Sequence, residues 1–306
     1  MMKNKKKMPV LPRRLRQGDT IGIVAPASSF DKDTFYQGIA VLESMGFHLS
    51  IPDDLFLKNR YLAGSDKQRA HWVNRFFSDK KIAAILCARG GFGTMKMLSL
   101  LDFKLIRKNP KIFVGFSDIS ALLSVLYTEC NAVSFHGPTV TTLANANEET
   151  KKSLFLAMTS ARKPEVKPKK GITIQHGEAS GPLIGGNLTT LCHLIGTPYT
   201  PKFKGQILMI EEKGEAVYRI DRMLSQMKLA GCFVGIKGLL VGSFEDCGKP
   251  DDIYMVIAEA FSHVDIPVLA GFDIGHGKTN ITVPIGLAAT LDTDKQQLTF
   301  HEPAVS

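Results

Sequence analysis

Hydrophobic positions change their spacing within residues 111–127, which read KIFVGFSDISALLSVLY. Residues 112–114 form an apolar run that is too short for a helix and is typical of a buried parallel strand. From Asp118 onwards, apolar residues recur with the spacing of an amphipathic helix, at positions 119, 122, 123, 126 and 127. Ser117 therefore lies on a turn between a strand and a helix. This turn resembles a nucleophile elbow, which presents a hydroxyl and backbone N–H groups at the top of a sheet.

The same alternation of strand and helix patterns runs through the first 160 residues. The expected strands lie at 20–25, 82–88, 112–114 and 133–135. Helices are expected at 33–45, after the capping-box spacing of Ser65 and Gln68, at 94–101 and after Asp118. Strands that alternate with helices form a parallel sheet, and such sheets bind ligands beyond the carboxyl ends of their strands. The Gly90-Gly91 loop and the Ser117 turn both lie at such ends, which predicts one shared crevice.

The pattern changes at residues 161–180, which are rich in Lys, Pro and Gly. We interpret them as a linker with a short strand at 172–175. The second half predicts helices ending near 196, at 220–227 and at 251–261, and strands at 206–210, 238–244, 266–270, 281–283, 288–291 and 297–300. Gly185-Gly186-Asn187 is expected to form a tight turn. The predicted fold class is α/β, with a parallel-sheet domain over 17–160 and a mixed α/β domain with a β-rich end over 181–306.

Composition describes an ordinary globular protein, and two domains are the natural expectation for 306 residues. No apolar run approaches the ~18 residues of a membrane span. The net charge of +9 is concentrated in residues 1–16, which carry seven basic residues and no acids, so the body is nearly neutral. This distribution argues against nucleic-acid binding. Because no apolar segment follows the basic start, we interpret residues 1–16 as a disordered tail and not as a signal peptide.

Cysteine spacing and short motifs argue against several kinds of site. The five cysteines are odd in number, scattered and without C-x-x-C spacing, which favours reduced thiols in a cytoplasmic protein over disulfides or structural zinc. The sequence contains no H-E-x-x-H, no G-x-x-x-x-G-K-[ST] and no G-x-G-x-x-G after a strand. We therefore expect neither a metal nor a phosphate-binding loop.

Three residues at expected strand ends suit serine acyl-transfer chemistry, which needs a nucleophile, a base and an acid that orients the base. Ser117, Glu211 and His276 occur in one of the chain orders found in such triads. Each also has a simpler interpretation: Ser117 suits a helix N-cap, Glu211 an exposed carboxylate and His276 a turn residue. His136 is a second and weaker candidate for the base.

Residues beside the candidate nucleophile have possible roles in the same chemistry. Backbone N–H groups of Asp118 and of Gly90 or Gly91 suit an oxyanion hole, and the Asp118 side chain suits capping of the following helix. Arg89 is a hypothetical contact for a substrate carboxylate, with a structural ion pair as its alternative role.

A set of motifs over residues 18–303 resembles the LD-carboxypeptidases, serine peptidases similar to the muramoyltetrapeptide carboxypeptidases of peptidoglycan recycling. The motifs are VAPAS (24–28), ARGGFG (88–93), GFSDISAL (115–122), FHGP (135–138), GGNL (185–188), GTP (196–198), ILMIEEKGEAVYRIDRML (207–224) and GFDIGH…ITVPIG (271–286). The resemblance implies Ser117 as nucleophile, His276 as base and Glu211 as acid. It also places the oxyanion hole at the amides of Asp118 and of Gly90 or Gly91. One departure is Val217, where the family pattern has proline at a helix start.

The resemblance implies a flavodoxin-like amino-terminal domain with Ser117 and a mixed carboxy-terminal domain with Glu211 and His276. The implied reaction removes terminal D-alanine from a murein tetrapeptide, at the meso-diaminopimelate–D-alanine amide, without a cofactor. It also implies a homodimer acting on a small peptide, and composition disfavours nucleic acid or a membrane as partner. Arg89 is our hypothesis for the contact with the terminal carboxylate.

Two alternatives remain open. Related microcin-immunity peptidases cleave peptidyl-aminoacyl-nucleotides, although the R-G-G-F-G and Y-R-I-D-R-M runs are closer to the recycling branch. Two α/β domains around a cleft also describe a non-catalytic small-molecule binding protein, which would not need Ser117.

Overall fold

The computed structural model describes residues 8–306, which form two β-sheets with helices packed against them. The strands are Thr20–Val24 (β1), His48–Ser50 (β2), Ile82–Cys87 (β3), Ile112–Gly115 (β4), Ser134–His136 (β5), Glu165–Val166 (β6), Ile172–Gln175 (β7), Glu178–Asn187 (β8), Ile207–Lys213 (β9), Gly238–Glu245 (β10), Val268–Ala270 (β11), Val283–Ile285 (β12), Ala288–Asp292 (β13) and Gln297–Phe300 (β14). The helices are Lys32–Ser44 (α1), Asp66–Ser78 (α2), Thr94–Met97 (α3), Phe103–Lys108 (α4), Ser120–Cys130 (α5), Val140–Leu143 (α6), Glu148–Thr159 (α7), Leu188–Leu194 (α8), Val217–Leu229 (α9) and Pro250–Phe261 (α10).

The first sheet has the strand order β12-β5-β4-β3-β1-β2. Strands β1 to β5 are parallel, and their spatial order 2-1-3-4-5 is that of the flavodoxin-like fold. The expected flavodoxin-like parallel sheet is therefore confirmed. Strand β12 comes from the second half of the chain and pairs antiparallel with β5, which closes this edge.

The second sheet has the order β6-β14-β13-β8-β9-β10-β11-β7. Its centre, β8 to β11, is parallel, whereas the flanking strands are antiparallel, so the expected mixed domain with a β-rich end is confirmed. Helices α8, α9 and α10 cover one face and bury residues such as Leu191, Leu224 and Ile257. Apolar residues of both sheets, for example Val114 and Met209, belong to one continuous core.

Local sequence signals account for where most elements begin and end. Helix α2 begins at a capping box in which Ser65 accepts from the Gln68 N–H and the Gln68 side chain reaches back to Ser65, as predicted. Helix α7 was not predicted, although Asn147 caps it and it buries Leu154 and Met158 on one face. None of the helices over residues 8–306 is long and apolar enough to cross a membrane.

Two interpretations that were drawn from composition are wrong: the disorder of the described part of the basic tail, and the linker at 161–180. The described part of the basic tail is ordered against the body: the Val10 N–H donates to the Asn131 carbonyl at 2.7 Å, and Leu15 is 2% exposed. Residues 1–7 of that tail lie outside the described part. The expected linker is not a connection between domains, because β6, β7 and the start of β8 lie within it and pair in the second sheet. Its predicted strand at 172–175 is present.

The Gly185-Gly186-Asn187 segment is also not the expected tight turn. It forms the end of β8 and pairs in parallel with β9. A Cβ on Gly185 would lie 1.9 Å from the Met209 carbonyl oxygen, so glycine permits a close approach of two strands. The next residue but one, Asn187, donates its N–H to Ser120 Oγ at 3.0 Å and ties the second sheet to the start of α5.

Candidate active site

A cleft of about 500 Å³ lies where the strand ends of the two sheets meet. Ser117 from the turn after β4 and His276 from the loop after β11 both line it. The other lining residues are Gly91, Phe92, Met95, Asp118, Asn187, Thr189, Thr190, His193, Glu212, Lys213 and Glu215. The predicted shared crevice is thus present, and it includes both halves of the chain.

Ser117 occupies a strained turn immediately after β4. Its φ is +62°, in the left-handed region that non-glycine residues rarely adopt. It begins a short 3-10 segment whose N-cap is Phe116, and no side-chain cap bond is made there or at the start of α5. The helix-cap interpretation of Ser117 is therefore wrong. The turn instead has the strand-to-helix geometry of a nucleophile elbow.

The Gly90-Gly91 loop packs directly against this turn. A Cβ on Gly90 would lie 2.8 Å from the Ser117 Cβ, so only glycine fits beside Ser117 without a shift. Ser28 holds the loop from the other side: its N–H donates to the Gly90 carbonyl at 3.2 Å, and its Oγ accepts from the Phe92 N–H at 3.0 Å. Gly91 has a φ of +104° and lines the cleft.

The Asp118 side chain fixes the loop to the turn. Its Oδ2 accepts from the Thr94 N–H at 2.8 Å, so it holds the start of α3, which follows the glycine loop, and not the elbow helix. Burial raises the pKa of the Asp118 carboxyl, against the opposing effects of Thr94 and Arg69. Asp118 was expected to cap the helix that follows Ser117, but its side chain holds the start of α3 instead.

Glu211 and His276 form a short hydrogen bond although 65 residues separate them in the chain. His276 Nδ1 lies 2.6 Å from Glu211 Oε2. Glu211 is 0% exposed, so the interpretation as a surface carboxylate is wrong. Burial raises the pKa of its carboxyl, but His136 and His276 together lower it by more, to about 2. Glu211 is therefore an ionised carboxylate at neutral pH.

The loop that carries His276 is held at its base by polar contacts. Ser243 Oγ, near the end of β10, donates to the Ile274 carbonyl and accepts from the Gly277 N–H at 3.0 Å. Asn280 Oδ1 accepts from the Gly275 N–H at 3.0 Å. The Phe116 ring lies 4.7 Å from the imidazole ring of His276, centroid to centroid. These contacts fix the ring while its side chain keeps 15% exposure to the cleft.

His136 and Arg89 do not line the cleft. His136 is 0% exposed, with Nε2 at 3.9 Å from Glu211 Oε1, so it has no access to substrate and the interpretation of His136 as the base is wrong. The guanidinium Nη1 of Arg89 donates to the Ser29 carbonyl at 2.9 Å. Arg89 is thus held by backbone, and the hypothesis that it binds a substrate carboxylate gains no support.

A buried polar cluster beside the cleft was not predicted from the sequence. Glu212 is buried, and its two oxygens accept from Asn187 Nδ2 and from the Thr189 N–H, each at 2.7 Å. Asn187 also caps α8 through the Thr190 N–H. The sequence signal for this cluster was the pair of adjacent acids at the end of β9. Successive side chains of a strand point to opposite faces, so Glu212 had to lie on the face opposite to Glu211 and to find its own partners there.

Charge in the cleft is mixed. Glu212, Glu215 and Asp118 supply carboxylates, and Lys213 is the one lysine or arginine among the residues that line it. Over residues 8–306, no group of three or more His, Cys, Asp or Glu side chains is arranged to hold a metal ion. The cleft brings together the Ser117 hydroxyl and the His276 imidazole, which Glu211 orients.

Sequence comparison places both halves of the chain in one peptidase family. Residues 21–137 match the model of the LD-carboxypeptidase N-terminal domain, and residues 180–291 match that of the LD-carboxypeptidase C-terminal domain.

Two relatives and one solved structure illustrate the similarity. The chain is 37% identical over 293 residues to the "Probable murein peptide carboxypeptidase" of Bacillus subtilis, an alignment that covers 92% of this chain and 91% of the relative. It is 30% identical to the Microcin C7 self-immunity protein MccF of Escherichia coli, with 97% of each chain covered. The structure of an MccF-like protein from Bacillus anthracis superposes with a TM-score of 0.91 at 29% identity, covering 96% of this chain and 99% of that one.

The family matches cover more than half of the chain, and the Bacillus subtilis relative exceeds 30% identity over nearly its whole length. The resemblance inferred from the motifs is thereby confirmed. This chain belongs to the LD-carboxypeptidase family of serine peptidases.

Proposed function

We propose that this protein is a serine L,D-carboxypeptidase that removes the terminal D-alanine from murein tetrapeptides. The observation that carries the proposal is the arrangement at the cleft. Ser117, on a strained turn, and the imidazole of His276 line the same cleft, and the buried carboxylate of Glu211 binds that imidazole from behind. These are the nucleophile, base and orienting acid that acyl transfer requires.

Ser117 is the proposed nucleophile and His276 the proposed base. Because Nδ1 of His276 is bound to Glu211, Nε2 is the nitrogen left to accept the Ser117 proton. Ser117 Oγ then bonds to the carbonyl carbon of the scissile amide. His276 returns the proton to the leaving D-alanine amine as the C–N bond breaks. Water, deprotonated by His276, hydrolyses the ester, and the proton returns to Ser117. The negative charge of Glu211 stabilises the imidazolium in both steps.

The proposed oxyanion hole consists of the backbone N–H groups of Asp118 and Gly91. Gly90 and Gly91 are alternatives on the sequence alone, and Gly91 is favoured because it lines the cleft. The carbonyl of Gly90 is held by the Ser28 N–H, and in a trans peptide the Gly91 N–H points away from that carbonyl.

The proposed substrate is a small peptide with several carboxylates. Lys213 is the cleft residue best placed to attract one of them, since Arg89 is held by the Ser29 carbonyl. The name of the Bacillus subtilis relative refers to murein peptides, and that relative is more similar in sequence than MccF is. This difference favours murein peptides over the peptidyl-nucleotide alternative, which MccF and the MccF-like structure keep open.

The first test is D-alanine release from purified murein tetrapeptide. We expect release by the intact protein and a loss of at least ~1,000-fold in Ser117→Ala, since removing a catalytic nucleophile typically costs that much or more. Ser225→Ala, at an exposed serine on α9, is the matched control and should keep full activity. Equal release by Ser117→Ala would exclude Ser117 as the nucleophile.

A parallel reaction with a peptidyl-aminoacyl-nucleotide separates the alternatives. Cleavage of that substrate without D-alanine release would assign the microcin-immunity activity. Saturable tetrapeptide binding without turnover of either substrate would assign a binding protein.

A further inference from the structure

The two oxygens of Glu211 have unlike surroundings. Oε2 lies 2.6 Å from His276 Nδ1, whereas Oε1 is buried and has no hydrogen-bond partner. His136 Nε2 lies 3.9 Å from Oε1, which is too long for a hydrogen bond. Both ring nitrogens of His136 are likewise buried and unpartnered. Two unsatisfied groups thus face each other across one short gap.

Such a pair is unfavourable as it stands. A buried carboxylate oxygen without a donor loses the hydrogen bonds it would make to water, and so does a buried imidazole nitrogen. A movement of about 1 Å would bring His136 Nε2 within hydrogen-bonding distance and satisfy one atom on each side. His136 also has no route to the substrate, because it is fully buried and absent from the cleft wall.

We propose that His136 is a positioning residue that donates its Nε2–H to Glu211 Oε1 in the free enzyme as well as during the reaction. Glu211 is then held between two imidazoles, with His276 on the cleft side and His136 on the core side. Binding both oxygens fixes the plane of the carboxylate and therefore the ring of His276. This inference rests on the proposed function, because it assigns His136 a task in the reaction of Ser117.

The neighbours of the His136 ring leave Glu211 as the group it acts on. Phe116 packs against it with ring centroids 5.9 Å apart, and a Cβ on Gly186 would lie 3.4 Å from His136 Cδ2. Neither Phe116 nor Gly186 has an ionisable side chain. The charged and titratable groups that act on Glu211 are His136 and His276. Glu212 is turned to the other face of β9, where it is bound by Asn187.

The expected effect of His136 is on the proton affinity of the Glu211–His276 pair. A donor on Oε1 stabilises the negative charge of Glu211 and so weakens the hold of the pair on a proton. Removing the donor should therefore shift the acid limb of the pH profile of kcat/KM to higher pH. The group that must be deprotonated for catalysis would then lose its proton only at higher pH.

The test compares His136→Phe, which keeps an aromatic ring but no donor, with His136→Gln, which keeps an N–H donor. We expect His136→Phe to lower kcat about 10- to 100-fold, to move the acid limb up by about one pH unit and to leave KM unchanged. His136→Gln should retain most of kcat and the original acid limb. A wild-type pH profile in His136→Phe, or equal losses in both variants, would overturn the proposal.

An NMR titration of the His276 imidazole separates the role of His136 from the proposed function, because it needs no substrate. We expect the titration of His276 to move to higher pH in His136→Phe and to stay in place in His136→Gln. If the wild-type protein releases no D-alanine but this shift is present, the proposed function fails while the coupling stands.

The wild-type protein tests the same contact if His136→Phe does not fold. A hydrogen bond to a carboxylate should move the Nε2 proton of His136 downfield in the NMR spectrum and protect it from exchange with water. We expect such a resonance, and its loss in His136→Gln would assign it. Its absence from the wild-type spectrum would overturn the proposal.

Discussion

At the scale of single residues, Ser117 shows how far a local pattern determines a site. The change from an apolar run to a helical period is sufficient to place it on a strand-to-helix turn. The pattern does not fix its φ of +62°, which depends on how β4, the glycine loop and α5 meet. Backbone strain of this kind persists only where surrounding contacts enforce it, and it is concentrated at functional sites.

The strain at Ser117 predicts an unusual order of stabilities. Ser117→Gly should be more stable than Ser117→Ala by about 1 kcal/mol, because glycine adopts a positive φ without steric cost and alanine does not. Urea unfolding of the two variants measures the difference in their free energies of unfolding. Both variants lack the hydroxyl of Ser117, so the loss of its contacts cancels in the comparison. If alanine proves as stable as glycine, the turn is not strained.

At the scale of elements, β8 and β9 approach each other closely just before the cleft. Gly185 has a φ of +136°, and a Cβ there would meet the backbone of Met209. This approach places Asn187 opposite Glu211 in the β8–β9 pairing, beside Glu212. The G-G-N motif therefore serves strand packing and capping of α8, and not the turn that its composition indicated.

The close approach predicts a large cost for one added methyl group. Gly185→Ala should destabilise the protein by about 3 kcal/mol or more, since the backbone of β9 must move. Gly196→Ala is the matched control, because Gly196 also has a positive φ, +85°, but has open space around it. It should cost only about 1 kcal/mol. Similar losses in thermal unfolding for both variants would mean that φ alone matters.

At the scale of the whole molecule, the two sheets are built into each other. Strand β12 of the second half completes the first sheet, and the backbone N–H of Arg14 donates to the carbonyl of Ser306 at the far end of the chain. Buried residues from both sheets, among them Val114 and Met209, belong to one shared core. The cleft therefore lies between parts that hold each other in place.

This interleaving predicts a single cooperative unfolding transition. Trp72, the one tryptophan in the sequence, lies on α2 and reports on the first sheet alone, whereas far-ultraviolet circular dichroism reports on both sheets. We expect thermal unfolding curves from the two signals to coincide. A tryptophan transition clearly separated from the dichroism transition would show that the halves unfold independently.

Local pattern was sufficient for the fold class, for most of the elements and for placing the three candidate residues at strand ends, although α7 was missed. Hydrophobic spacing predicted β1, β3, β4, β9 and β10 to within a few residues, because local periodicity follows from which face of an element is buried. The motif set was sufficient to indicate the family. Composition was a poorer guide: basic and proline-rich stretches at 8–16 and 161–180 are ordered parts of the fold.

Which of these residues meet depends on the packing of the whole chain. Glu211 and His276 are 65 residues apart, and nothing local to either one encodes their hydrogen bond. In the same way, the sequence of FHGP does not show that His136 is buried behind Glu211, and ARGG does not show that the Arg89 guanidinium binds the Ser29 carbonyl. Burial, partner choice and pKa arise from contacts between distant segments, whereas periodicity arises from neighbours in sequence.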